Sequence, residues 1–270
     1  MNRIAAAFKR RREAGELALI PYLTAGDPTP ELTPELVWSL EEAGADLVEL
    51  GVPHSDPLAD GPTNQRAAGR ALAHGVTLER VLELARQIRT RSDIPIVLFS
   101  YYNPILRFGI ESFAEQTAQA GADGAVVTDL PPEEATALRA ALDEKSLSLV
   151  PLLAPTSGPA RTELILSLAR GFVYYVSRTG VTGARAELED QLRAEVLALR
   201  QRCSLPVAVG FGISRPEHVR ALAGAADGVV VGSALVERVN ACPLARAPRE
   251  AAAFLRTLAA ERGVRAGKER

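Results

Sequence analysis

Ala43-Gly44-Ala45-Asp46-Leu47-Val48-Glu49-Leu50, residues 43–50, is the stretch on which the fold turns. A helical pattern from Pro34 to Ala43 ends at a glycine, the residue best suited to the left-handed position that closes a helix, and a short apolar run follows at once. Almost the same joint recurs as Ala120-Gly121-Ala122-Asp123 and as Gly224-Ala225-Ala226-Asp227. A chain that passes from helix to strand through one punctuation three times is built of repeated units.

Outward from these joints, eight short runs read as strands: Leu17 to Leu23, Asp46 to Leu50, Pro95 to Tyr101, Gly124 to Thr128, Ser148 to Leu153, Phe172 to Ser177, Pro206 to Gly210 and Gly228 to Gly232. Their apolar residues are consecutive, as in parallel strands covered on both faces. Helical patterns supply the crossovers: Pro34 to Ala43, Leu78 to Arg89, Ile110 to Ala120, Glu133 to Leu142, Arg161 to Leu168, Leu188 to Gln201, Pro216 to Leu222 and Arg249 to Arg262. Neither a linker nor a composition shift divides the chain. The expected fold is α/β, one (β/α)8 TIM barrel domain over residues 1–270 with an extra N-terminal helix. That helix, the first 14 residues, is expected at the barrel end opposite the active face, and Lys268 to Arg270 as a frayed tail. Gly51 to Val76 and Arg178 to Ala186 are too long and too rich in turn formers for simple turns, and read as functional loops after the second and sixth strands.

Composition removes other classes of function. Lys and Arg number 31 against 33 Asp and Glu, a formal charge of -2, so there is no basic footprint for nucleic acid or an anionic membrane. The longest basic run, Lys9 to Arg12, reads as a solvated helix face. No apolar stretch approaches a membrane span, and no signal peptide precedes the basic residues, so a cytoplasmic protein is expected. Cys203 and Cys242, and His54, His74 and His218, are too scattered to suggest a disulfide framework or a metal site.

Glu49 lies between Val48 and Leu50 inside a strand, where an ionised side chain loses its hydration. It is either an outward charge, half of an ion pair, or a functional acid. The loop behind it, Gly51-Val52-Pro53-His54-Ser55-Asp56-Pro57-Leu58-Ala59-Asp60-Gly61-Pro62, favours function: three prolines restrict it and two more carboxylates reach the same mouth. Two carboxyls in unlike surroundings divide acid and base work. Asp56 before Pro57 reads as a turn former; Asp60 before Gly61 fits either role. Gly210-Phe211-Gly212-Ile213 after strand seven and Gly232-Ser233 after strand eight form the pattern by which barrels bind phosphate on backbone N–H groups and a short helix start. Gly180 to Gly183 can close over the same anion, with Arg178 beside it. None of the three lysines, Lys9, Lys145 and Lys268, ends a strand, which argues against imine chemistry.

Val48-Glu49-Leu50-Gly51-Val52-Pro53 with Ser55-Asp56-Pro57-Leu58-Ala59-Asp60-Gly61-Pro62 resembles the signature of the tryptophan synthase alpha subunit family. Further segments resemble it in order: Thr24 to Pro28, Tyr102-Asn103-Pro104, Asp129 to Glu134, Ala154 to Ser157, Ser177 to Gly183 and Gly210 to Ile213. The likeness runs from about residue 17 to residue 236. It implies retro-aldol cleavage of indole-3-glycerol phosphate to indole and glyceraldehyde 3-phosphate, a lyase reaction with neither metal nor cofactor in this chain. Glu49 and Asp60 are then catalytic. Tyr22, Tyr102, Tyr174, Thr182, Gly183, Phe211, Gly212, Gly232 and Ser233 are the implied substrate-binding residues. The implied partner is a beta subunit carrying pyridoxal phosphate in an alpha-beta-beta-alpha complex, met by Asn103, Pro104, Pro131 and Pro132.

Two residues depart from the family pattern: His54 stands where Phe is usual, and Asn64 where Ile is usual. A lone histidine reads as an interface residue rather than a ligand or pH sensor. Two other functions remain: a binding subunit that activates a partner without turnover, and a sugar-phosphate isomerase using two Asp residues. Intact Glu49 and Asp60 argue against the first. Asp129 without a carboxylate on strand one argues against the second.

Overall fold

A computed structural model describes residues 2–176, 185–210 and 212–263, with the backbone alone at 185–189. The strands are β1 (Ala18–Thr24), β2 (Val48–Gly51), β3 (Ile96–Ser100), β4 (Gly124–Val127), β5 (Ser148–Val150), β6 (Leu152–Leu153), β7 (Val173–Val176), β8 (Val207–Gly210) and β9 (Gly228–Val231). All pair in parallel, in the order β5-β4-β3-β2-β1-β9-β8-β7-β6. The two ends of that order are consecutive pieces of one expected strand, parted at Pro151. Its first half pairs with β4 and its second with β7, so the eight-fold barrel closes through the chain itself.

Around it lie α1 (Arg3–Glu13), α2 (Leu32–Glu42), α3 (Pro62–Ala73), α4 (Leu78–Arg89), α5 (Tyr102–Phe108), α6 (Ile110–Gln119), α7 (Thr136–Glu144), α8 (Pro159–Leu168), α9 (Arg185–Arg202), α10 (Pro216–Leu222), α11 (Ser233–Asn240) and α12 (Ala247–Ala259). The eight crossover helices are found within a few residues of expectation. Gly44, Gly121 and Gly224, in the repeated joints, have φ of 103°, 76° and 77°, the left-handed conformation that glycine adopts without strain. One loop expectation fails. Gly51 to Val76 is not loop throughout, because Pro62 at the first helical position starts α3, which buries Ala67, Ala68 and Ala71.

Two apolar layers result, one between strands and helices and a smaller one inside the barrel. Ile4 and Phe8 of α1 belong to the inner layer, and the Phe8 and Phe172 rings lie 5.3 Å apart, so α1 stops the N-terminal end as expected. The repeated aspartates explain its basic run. Asp46, Asp123 and Asp227 are buried at strand starts, where each accepts a backbone N–H from a neighbouring strand: Leu19 (3.1 Å), Ile96 (2.9 Å) and Val207 (2.9 Å). Arg10 and Arg11 of α1 pair with Asp46 at 3.2 and 2.6 Å, Arg12 with Asp227 at 3.1 Å, and Arg3 with Asp123 at 3.2 Å. The run from Lys9 to Arg12 is therefore not simply a solvated face: three of its arginines answer buried carboxylates. The proposed tail from Lys268 to Arg270 lies outside the described residues. Among the described residues no helix is long and apolar enough to cross a membrane.

Candidate active site

Strand alternation carries Glu49 into the barrel. Leu47, two residues earlier, belongs to the inner apolar layer, and a period of two keeps Glu49 on the same face. Parallel register sets Glu49 beside Tyr22 on one side and Val97 on the other. The inward positions nearest the C-terminal mouth form a cavity of about 370 Å³. Tyr22, Glu49, Phe99, Thr128, Leu152 and Tyr174 line it from the strands, Asp60 and Asn64 from the loop and helix after β2, and Gly212, Gly232 and Ser233 from the connections after β8 and β9.

Two glycines make room for its aromatic walls. A Cβ on Gly51 would overlap the Tyr22 ring, and one on Gly210 would overlap that of Tyr174. Tyr22 in turn meets Phe99 edge to face, with ring centroids 5.3 Å apart. The result is a wall of flat apolar surface around a single acid.

Glu49 is 1% exposed, and neither carboxylate oxygen has a hydrogen-bond partner among the described residues. Burial without compensation disfavours the charged form and pushes its pKa up to about 8. Asp60 is placed differently. The Tyr101 hydroxyl donates to its Oδ2 at 3.1 Å while accepting from the Ala59 N–H at 2.9 Å, and Asn64 lines the same cavity beside it. Partial burial raises the Asp60 pKa, while Tyr101, Asn64 and the charge of His54 work against the rise. One carboxyl is thus isolated and prone to hold a proton, the other cradled by donors, an arrangement fit to divide proton transfer from charge stabilisation.

Of the residues singled out in the sequence, Glu49, Asp60, Tyr22, Tyr174, Gly212, Gly232 and Ser233 meet at this cavity. Tyr102 does not line it. Its N–H donates to Asp129 at 2.7 Å and its ring packs on the outer layer. Tyr101 rather than Tyr102 reaches the site, by its hydroxyl on Asp60 and not as a cavity wall, for a reason visible in alternation: Val97 and Phe99 face inward, so Tyr101 continues their side and Tyr102 is turned away. Thr128, at the end of β4, was also missed, although Val126 two residues before it faces inward. Thr182, Gly183 and Phe211, with Arg178, lie outside the described residues. Asp56 is exposed in a turn, its carbonyl accepting from the Leu58 N–H at 3.0 Å.

Where the connections after β8 and β9 meet the cavity, Gly212 has φ of 82°, and Ser233 opens α11, whose first N–H groups lack helical partners. A larger hollow of about 520 Å³ opens beside the first and shares Thr128, Leu152 and Val176 with it. Its ionisable lining residues are Asp129 and Arg161, and Arg161 is paired with Glu133 at 2.8 Å, so the carboxyl pair suited to proton transfer stays in the smaller cavity.

The family model described as tryptophan synthase alpha chain matches residues 8–264. The chain is 49% identical over 258 residues to the tryptophan synthase alpha chain of Geobacter sulfurreducens, covering 96% of this chain and 98% of that one. It is 53% identical over 237 residues to that of Geobacter sp. strain M21, covering 88% and 89%. The crystal structure of tryptophan synthase subunit alpha from Legionella pneumophila superposes with a TM-score of 0.89 at 39% identity, covering 96% of this chain and 97% of that one.

Proposed function

The chain belongs to the tryptophan synthase alpha chain family, the lyase subunit of tryptophan biosynthesis that cleaves indole-3-glycerol phosphate, and from that premise we propose how its own residues perform the cleavage. Protonated Glu49 gives its proton to indole C3. Positive charge grows on the ring nitrogen, and the Asp60 carboxylate stabilises it more than it stabilises the neutral substrate. The Glu49 carboxylate then takes the side-chain hydroxyl proton as the bond from C3 to the side chain breaks and its electron pair returns to the ring. Indole and glyceraldehyde 3-phosphate leave, and Glu49 is protonated again.

The observation that carries this reading is Glu49 itself: a buried acid with no hydrogen-bond partner among the described residues, its pKa pushed up by burial, in one cavity with a cradled carboxylate. A group that must first give and then take a proton works best with a pKa near the working pH. Tyr22 and Tyr174 supply flat walls for the indole ring. Gly212, Gly232 and Ser233 bind the phosphate at the α11 start, assisted by Gly183 and Phe211, and Thr182 belongs to the loop that closes over it. No cofactor is assigned to this chain.

The partner is a beta subunit, which joins indole to serine with its own pyridoxal phosphate in an alpha-beta-beta-alpha complex, in the cytoplasm. Asn103, Pro104, Pro131 and Pro132 meet it. Support comes from two apolar side chains left in water on the same barrel end, Leu58 (84% exposed) in the loop that carries Asp60 and Leu106 (50% exposed) on α5. The test is direct: purified protein with saturating beta subunit should release glyceraldehyde 3-phosphate from indole-3-glycerol phosphate. Absence of that product refutes the mechanism.

A further inference from the structure

We propose that Asn64 is a positioning residue for the reaction, its side-chain amide holding the Asp60 carboxylate against the ring nitrogen of the substrate. The inference rests on the cleavage mechanism above and goes beyond it, since Asn64 touches no reacting atom in that scheme.

The chain places it there. Asp60 directly precedes Gly61, the cap of α3, and Pro62 is the first helical residue, which makes Asn64 the third. Helical side chains lean toward the N-terminus of their helix, so a residue in the first turn reaches back over the segment that leads into it. Asn64 lines the cavity with Asp60, its side chain works to lower the Asp60 pKa, and its Oδ1 is buried with no hydrogen-bond partner among the described residues. These facts fit one orientation. The amide offers two N–H donors and one carbonyl oxygen, and a carboxylate is acceptor only, so the Nδ2 end faces Asp60 and Oδ1 faces away from it.

Asp60 is then gripped from two directions. Tyr101 donates to Oδ2 from the end of β3, and Tyr101 is itself fixed by the Ala59 N–H and by the His54 ring, whose centroid lies 4.9 Å from its own. Asn64 donates from α3. The Asp60 backbone is tied to the same helix, since Gln65 Nε2 donates to its carbonyl at 2.9 Å. A carboxylate held by fixed donors does not have to reorganise when positive charge develops beside it, which lowers the barrier without tightening ground-state binding. The titratable groups facing Asp60 are Tyr101, His54, Tyr22 and Tyr174, with Glu49 in the same cavity.

The test uses the whole chain with saturating beta subunit and compares Asn64→Leu, Asn64→Asp and Asn64→Gln with the parent. Losing a hydrogen bond to a charged group should lower kcat on the order of tenfold in Asn64→Leu, with KM changed about twofold or less. The acid limb of the kcat profile should move to higher pH, because a donor that favours the Asp60 anion is gone. Asn64→Asp, equal in size but without a donor, should be worse than Leu, and Asn64→Gln better than either. In an Asp60→Asn background, Asn64→Leu should have almost no further effect, since the carboxylate it positions is absent. Wild-type kcat and acid limb in Asn64→Leu, or Asn64→Asp more active than Asn64→Leu, overturns the proposal. If Asn64→Leu does not fold, the ranking of Asp against Gln decides in the same way. Loss of the parent's own activity strikes the cleavage mechanism instead.

Discussion

Replacing Glu49 by Gln should have two opposite effects, and each can be sized from its surroundings. The side chain keeps its volume and loses the proton it trades. Removing a positioned general acid and base lowers kcat by about 10²- to 10⁴-fold, and here one residue serves both steps, so the loss should lie at the upper end, with substrate affinity within about tenfold. Stability should rise. Between pH 4.5 and about 8 the folded protein retains a Glu49 proton that the unfolded chain has released, so stability falls as pH rises through that window. At about 1.36 kcal/mol per pH unit, the full window represents about 5 kcal/mol withheld from the wild type above pH 8. Gln carries no charge and escapes that loss.

For a chain of this size, about 2–4 °C of melting temperature accompanies each kcal/mol. Glu49→Gln should therefore melt about 10 °C above the parent at pH 9, with the gap nearly closed at pH 5. Calorimetry across pH measures this, and a coupled assay for glyceraldehyde 3-phosphate measures turnover. The parent's kcat/KM should decline as pH rises through about 8, because the free enzyme must bring a protonated Glu49 to the substrate. Equal melting temperatures at pH 9 would mean that the carboxylate finds a partner in solution. More than about a tenth of parental kcat in the variant would take the proton transfers away from Glu49.

Other perturbations separate the site from its scaffold. Asp60→Asn keeps the shape of the cradle and removes its charge; kcat should drop about 10²-fold with KM little altered, and unchanged turnover would return Asp60 to a turn-forming role. Gly210→Ala drives a methyl into the Tyr174 ring, so kcat/KM should fall at least about tenfold, whereas Gly158→Ala, which meets open space at φ of -64°, should leave the assay unchanged. Asp46→Ala removes the carboxylate that pairs with Arg10 and Arg11 and accepts the Leu19 N–H at the far end of the barrel, while Arg11 keeps Glu16. The orphaned Leu19 N–H should cost about 1–3 kcal/mol by thermal unfolding, with normal kcat below the transition.

Which parts of this molecule could be read in advance follows from the range of the interactions involved. Repeated βα units are local: a glycine that ends a helix and a run of apolar residues lie within ten positions of one another, and Gly44, Gly121 and Gly224 marked their strands correctly. Glu49 was legible for a related reason, because a carboxylate between Val48 and Leu50 in a buried strand is conspicuous whatever lies around it. Tyr102 shows the limit of motif reading, since the motif named it while the inward phase set by Val97 and Phe99 turns Tyr101 toward Asp60 instead. The helix α3 was hidden by composition: Gly61 and Pro62 look like turn formers, yet a cap followed by proline at the first position is also how a helix begins. Most distant of all are the arginines of α1. Arg12 and Asp227 form one ion pair 215 positions apart, and periodicity in an eleven-residue helix carries no information about a carboxylate buried that far along the chain. A basic run is solvated by default, but these three arginines pair with buried aspartates that fix the strand starts. The N-terminal helix thus supports the end of the barrel away from the chemistry, which leaves the other end free to keep Glu49 uncompensated.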